Sequence, residues 1–159
     1  MLKLLRRAQQ NEHGFTLTEV LITIILMIIL LGIATSSWFR VVEIRRVDAA
    51  TNQLAADLRL AHSKATNRLV SQTVTLTAAG DSAYTVTGAG NRDLDDDPDE
   101  DLVSVLTPST IVFNSNGGAQ FVAGANPIRV QSTKHTDKCH RIDVNTVTSR
   151  IKIVDPCDP

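Results

Sequence analysis

Aromatic residues are scarce in this chain of 159 residues, and so are cysteines. Four Phe, one Tyr and one Trp make up 4% of the sequence, and there are two Cys. Extended stacking of side chains on nucleic acid bases is therefore not available. The formal net charge is −1, which excludes a strong field around the whole molecule.

Catalytic patterns are also missing from the sequence. There is no glycine-rich phosphate loop, and no Ser, His and Asp stand in a context that would support a catalytic triad. We therefore expect that the protein is not an enzyme and needs no cofactor. Ca²⁺ is the one candidate cofactor.

Charge is almost absent from Leu17 to Ala34, where Glu19 is the only ionisable side chain. Eighteen mainly apolar residues are enough to cross a bilayer. The basic residues Lys3, Arg6 and Arg7 precede this segment, which predicts a cytoplasmic N-terminus and an exported C-terminus. A carboxylate inside such a helix is costly and usually marks a functional position.

A conventional secretory signal peptide is the competing interpretation of this segment. Ala34-Thr35-Ser36 could serve as its small-residue cleavage site. The chain would then be a secreted module that begins near Ser36. That interpretation leaves the Gly14-Phe15 pair and Glu19 unexplained.

The stretch Gly14-Phe15-Thr16-Leu17-Thr18-Glu19, after a short basic leader, resembles the class III signal of type IV prepilins and type II secretion pseudopilins. The resemblance implies that residues 1–14 are a leader removed by prepilin peptidase, which then methylates the new amino terminus at Phe15. It also implies that Glu19 pairs with the terminal ammonium of a neighbouring subunit. The chain would be a single-pass inner-membrane precursor, and then part of a periplasmic or extracellular filament.

A long helix over residues 15–70 is predicted, because neither Pro nor Gly interrupts residues 33–79. Residues from about 16 to 37 would cross the membrane, and those from about 38 to 70 would be amphipathic. The charged residues of this second part, Asp57 among them, lie mostly off its apolar stripe, and we expect its basic residues to face solvent. The stripe, at spacings of three and four, consists of Val47, Ala50, Leu54, Leu58, Ala61, Ala65 and Leu69.

From residue 71 to 159 the hydrophobic period changes to two, and turn signals separate short alternating segments. We predict an α+β protein in which the long N-terminal helix packs on a C-terminal antiparallel sheet or sandwich, the pilin fold. The order of parts resembles minor pilins and minor pseudopilins of the GspH/FimT group. The predicted strands are 73–77, 84–87, 102–106, 110–113, 120–122, 128–131, 141–144 and 150–154.

The two cysteines, Cys139 and Cys157, are 18 positions apart. In an exported chain they are expected to form a disulfide bond. Two unpaired thiols would be expected only if the protein were cytosolic.

An acidic run between two predicted strands is a candidate metal site. Asp93, Asp95, Asp97 and Asp101 could converge on Ca²⁺, which prefers oxygen ligands. The run lacks the central Gly and the final Glu of an EF-hand loop. The alternative is a solvated loop whose like charges keep it extended.

Basic residues near the C-terminus are a candidate DNA-binding site. Ser149-Arg150-Ile151-Lys152 resembles a Gly-Arg-x-Arg pattern that is implicated in DNA contact in FimT-like proteins, with Ser in place of Gly and Lys in place of the second Arg. Lys cannot make the bidentate phosphate contact of Arg. No aromatic residue follows Phe121, so binding would be to the backbone and not sequence-specific. The candidate residues are Arg150, Lys152, Arg141, Lys138 and Lys134.

Three hypotheses follow from the sequence. The first is a structural minor subunit of a type IV pilus or a type II secretion pseudopilus, with prepilin peptidase and other pilins or pseudopilins as partners. The second is a DNA-binding minor pilin of a competence pilus. The third is a secreted calcium-binding module.

Overall fold

The computed structural model describes residues 14–77, 80–95, 102–134, 136, 138–154 and 157. The chain divides into two compact units, Met1–Phe39 and Arg40–Pro159. A single helix, α1 (Leu17–Arg68), contributes to both units. Its bounds agree closely with the helix predicted from the sequence.

The first unit contains the apolar part of α1. The segment Leu17–Ala34 is long and apolar enough to cross a membrane, and none of it is buried. A helix that is apolar on every side needs lipid or other helices around it, because water cannot solvate it favourably.

The second unit combines the later part of α1 with two antiparallel sheets. The first sheet has the order β3-β2-β1-β5-β6, and the second has the order β4-β7-β8-β9. This architecture confirms the predicted α+β pilin-like fold. Among the described residues the strands are β1 (Gln72–Leu76), β2 (Ala83–Val86), β3 (Gly90–Asp93), β4 (Val103–Val105), β5 (Thr110–Phe113), β6 (Ala119–Ala123), β7 (Ile128–Ser132), β8 (Cys139–Val144) and β9 (Ile151–Val154).

The core of the second unit lies between the helix and the inner faces of the sheets. Six of the seven predicted stripe residues are buried, whereas Leu69 is 76% exposed because the helix has already ended at Arg68. Each buried Leu, Ile or Phe contributes about 1.5–3 kcal/mol. All buried apolar side chains of the described residues belong to this unit. Residues 40–159 therefore possess a hydrophobic core of their own.

Strand β3 was not predicted. Its residues, Gly90 to Asp93, are all exposed and carry no apolar alternation, so only the pairing with β2 defines it as a strand. It forms one edge of its sheet. Asp93, assigned from the sequence to the acidic run, is the last residue of this strand.

Asp57 is not a solvated residue of the helix surface, although it lies off the predicted stripe. Its carboxylate accepts a hydrogen bond of 2.5 Å from the hydroxyl of Tyr84 on β2, and Arg92 on β3 lies 3.3 Å away. A buried carboxylate is tolerated where charged and polar partners replace water. This network holds the helix against the edge of the first sheet.

The disulfide bond between Cys139 and Cys157 confirms the sequence prediction. The backbone N–H of Cys157 also donates to the carbonyl of Cys139. The cross-link closes a loop of 18 residues, which in the chain-entropy model stabilises the fold by about 3 kcal/mol.

Candidate functional site

The N-terminal motif lies at the start of the apolar helix. Gly14, Phe15 and Thr16 precede the helix, and Phe15 is 80% exposed. The hydroxyl of Thr16 accepts a hydrogen bond of 3.3 Å from the backbone N–H of Glu19. This is an N-cap, which satisfies one of the free donors at the helix start.

Thr16 was not singled out as a site residue from the sequence. The signal that could have identified it is the Thr-x-x-Glu spacing of a capping box, with Thr16 as cap and Glu19 three residues later. The cap fixes where the helix begins. Glu19 consequently lies in the first turn, one turn after Phe15, where its exposed carboxylate is available to a partner.

The five basic candidates do not form one cluster. Lys138 immediately precedes β8, whereas Arg150 lies beyond the other end of that strand, where its carbonyl accepts from the N–H of Asn145. Six residues of extended chain separate the two ends, about 20 Å. Lys134 lies near Lys138, because its backbone N–H donates to the hydroxyl of Ser132 and the N–H of Ser132 donates to the carbonyl of Lys138.

Arg141 on β8 and Lys152 on β9 lie on the face of the second sheet that points away from the core. Lys152 is the cross-strand neighbour of Asp143, and Arg141 lies 3.7 Å from the same carboxylate. Arg129 on β7 is directly opposite Arg141 and was not predicted as a site residue. Its alternation with buried Ile128 and Val130 is the signal that could have placed it on this face.

Ser149 adopts a left-handed backbone conformation, with φ of 51°. Residues with a Cβ rarely adopt this conformation, whereas Gly does so readily. The buried hydroxyl of Ser149 donates a 2.6 Å hydrogen bond to the carbonyl of Gly117. The place of Gly in the Gly-Arg-x-Arg pattern is thus occupied here by a residue that compensates for strain with a hydrogen bond.

Of the acidic candidates, Asp93 and Asp95 are described, and Asp97 and Asp101 lie outside the described residues. Asp95 is buried, accepts a 2.6 Å hydrogen bond from the N–H of Leu102, and lies 3.9 Å from Arg46. One carboxylate oxygen of Asp93 accepts from the N–H of Asp95. Within the part of the chain that the structure describes, no three potential ligands converge on a metal position.

Comparison with known proteins gives two family matches. A model of the prokaryotic N-terminal methylation motif matches residues 9–35. A model of type II transport protein GspH matches residues 50–148, more than half of the chain. No curated protein and no solved structure matches the chain.

Proposed function

We propose that this chain, which belongs to the family of type II transport protein GspH, acts as a structural filament subunit rather than as an enzyme. Family membership and the methylation motif make it a minor pseudopilin or pilin subunit with a membrane-anchored precursor. The observation that carries it is the exposed apolar helix that begins at Leu17, two residues after Phe15.

Processing would create the assembly site. Cleavage between Gly14 and Phe15 would free an amine at Phe15, and Glu19 is the only acidic or basic side chain between Phe15 and Arg40. A carboxylate in an apolar environment needs a cationic partner, and the terminal amine of the neighbouring subunit would supply one. The apolar side chains around Glu19 would pack on helices of other subunits after leaving the lipid.

The mature N-terminus tests this proposal. When the full chain is produced together with a prepilin peptidase, we expect mass spectrometry to find a chain that starts at N-methylated Phe15. Gly14→Val should leave the leader attached. A Cβ at Gly14 meets no atom within 4 Å, so the change should affect recognition by the peptidase and not folding.

Gly32→Val provides the matched control. This glycine also has open space around it, but it lies inside the helix and away from the cleavage point. We expect normal processing of this variant. A mature chain that starts near Ser36 would instead identify a conventional signal peptide and contradict the filament role.

DNA binding is the second candidate function. Arg129, Arg141 and Lys152, with Arg150 at the strand end, place four positive charges along one sheet face, where Asp143 is the one carboxylate among the described residues. Such a face could follow a phosphate backbone without reading the sequence.

The division of the basic residues allows a sharp test. Binding of double-stranded DNA to the 40–159 fragment should weaken with salt, and Arg150→Glu/Lys152→Glu should abolish it. Lys134→Glu/Lys138→Glu makes the same change in charge at the other end of β8, about 20 Å away. This variant should bind DNA with an affinity much closer to that of the unaltered fragment. Equal losses in both variants would indicate only a general charge effect. No binding at low salt would exclude this function and leave the filament role intact.

A further inference from the structure

A cavity of about 360 Å³ opens on the second sheet, where β8 ends and β9 begins. This volume lies within the range of cavities that bind small molecules. The filament role makes no use of it. The cavity is lined by Asn126, Asp143, Val144, Asn145, Arg150 and Lys152.

Four of the lining side chains belong to one face of the β8–β9 hairpin. Asp143 and Lys152 are directly opposite each other in the ladder. Two positions further along, the backbone N–H of Asn145 donates to the carbonyl of Arg150. Alternate residues of a strand face the same side, and directly opposite residues share a face. All four therefore lie on the face that points away from the core.

Hydrogen bonds within the protein fix the segments around the cavity. Oδ1 of Asn126 accepts from the N–H of Val144 at 3.1 Å, and Nδ2 of Asn126 donates to the carbonyl of the same residue at 2.9 Å. Ser149, immediately before Arg150, donates its hydroxyl to the carbonyl of Gly117. A ligand would meet groups whose backbone positions are already set, which lowers the entropic cost of binding.

The polar groups left for a ligand are mainly donors. Oδ1 of Asn145 already accepts from the backbone N–H groups of Val147 and Thr148, at 3.0 and 2.8 Å. The NH2 group is the part of this side chain that remains, and it can only donate. The side chains of Arg150 and Lys152 also carry donors alone. Such a lining favours a ligand rich in acceptor oxygens.

The cavity also has an excess of positive charge. Asp143 is the one carboxylate among the lining residues, and Arg141 lies 3.7 Å from it and offsets its charge. Within the described part of the chain, neither Arg150 nor Lys152 forms an ion pair. Their two positive charges therefore remain for a ligand. Arginine and lysine are both suited to phosphate oxygens.

We propose that this cavity binds a phosphate monoester group. Such a group carries a charge of about −1.5 to −2 at neutral pH and three strong acceptor oxygens, so it matches both the two cations and the donors. A phosphodiester or a carboxylate carries a single charge and matches the cavity less well. The inference concerns one group in a cavity and not a nucleic acid backbone along a sheet face, so it does not rest on the DNA-binding candidate.

Titration of the isotope-labelled, disulfide-bonded 40–159 fragment with glycerol phosphate tests the cavity. The NMR signals of the Asn145 side-chain NH2 group and of the Arg150 backbone N–H should shift, with half-saturation at about 1 mM. Dimethyl phosphate and acetate, with one charge each, should bind about tenfold more weakly. Unchanged signals of both residues at about 10 mM glycerol phosphate would overturn the proposal.

Asn145→Asp separates the cavity from the fold. The replacement keeps an oxygen for the N–H groups of Val147 and Thr148, but it exchanges the NH2 donor for a negatively charged acceptor. We expect the affinity for glycerol phosphate to fall about tenfold or more, with the urea midpoint retained. Asn91→Asp makes the same change on β3 of the first sheet and should bind as the unaltered fragment does. Equal losses in both variants would reveal a general charge effect and contradict the site.

The source of the phosphate group can be identified with DNA ends. A terminally phosphorylated duplex that shifts the Asn145 signal at a lower concentration than glycerol phosphate would assign the site to nucleic acid ends. A higher or equal concentration would assign it to small phosphomonoesters. Glycerol phosphate binding without affinity for unphosphorylated DNA would support the cavity and exclude the second candidate function. DNA binding without glycerol phosphate binding would refute the cavity alone.

Discussion

Gly124→Ala is expected to lower the free energy of unfolding of the 40–159 fragment by about 3 kcal/mol or more. Gly124 has φ of 83°, and a Cβ there would lie 2.1 Å from the carbonyl oxygen of Pro108 and 2.6 Å from the Cα of Ser109. Both contacts are with backbone, which cannot move aside as a flexible side chain can. The carbonyl of Ser109 accepts the N–H of Leu76 on the central strand β1, so a shift would disturb the middle of the first sheet.

Gly88→Ala isolates the contribution of the steric contact. Gly88 has φ of 75°, but a Cβ there would meet nothing within 4 Å. Its substitution should cost only the backbone strain, about 1–2 kcal/mol. Urea unfolding of the three proteins measures the difference. Equal losses in the two variants would mean that the close approach of Gly124 to Pro108 does not exist in solution.

The contrast between Gly124 and Gly88 shows where sequence patterns stop being informative. Both glycines were recognisable as turn residues, because glycine punctuates alternating segments. Only the fold reveals that Gly124 touches another segment and that Gly88 does not. A requirement that arises from contact between distant segments leaves no local signal.

The same distinction explains which strands were predicted. Strands β5 and β7 bury every second residue, and their alternation predicted them within one residue. Strand β3 buries no residue, so its amino acids have no reason to alternate. Its existence depends on hydrogen bonds to β2, and backbone pairing is independent of side-chain type.

The candidate sites differ in predictability for a related reason. Gly14, Phe15 and Glu19 lie within six consecutive residues, so the helix start alone determines their arrangement. The basic candidates extend from Lys134 to Lys152, and their arrangement depends on which end of β8 each residue lies near. Proximity in sequence therefore suggested a cluster that the antiparallel path divides into two groups.

Tyr84→Phe is expected to destabilise the 40–159 fragment by about 1.5–3 kcal/mol at neutral pH. The hydroxyl of Tyr84 donates to the buried carboxylate of Asp57, which in the variant would keep Arg92 as a charged partner but lose this hydrogen bond. Because Phe retains the ring and its packing, the decrease in unfolding free energy measures the contribution of the hydrogen bond. Val112→Ala, on the partly exposed face of β5, is the control for a general loss of packing in the first sheet. It should leave the dependence of stability on tyrosine ionisation unchanged.

Burial, reinforced by the hydrogen bond to Asp57, raises the pKa of Tyr84 well above its usual range. The folded protein therefore holds the proton at a pH where the unfolded chain, with a tyrosine pKa of about 10, releases it. The stabilisation is complete below about pH 10 and declines above it by about 1.4 kcal/mol per pH unit until the folded-state pKa is reached. The gap in unfolding free energy between the unaltered fragment and Tyr84→Phe should consequently narrow above pH 10.

Since Tyr84 is the single tyrosine of the chain, the absorbance of tyrosinate measures its ionisation directly. Titration of the folded fragment near pH 10 would contradict the buried hydrogen bond.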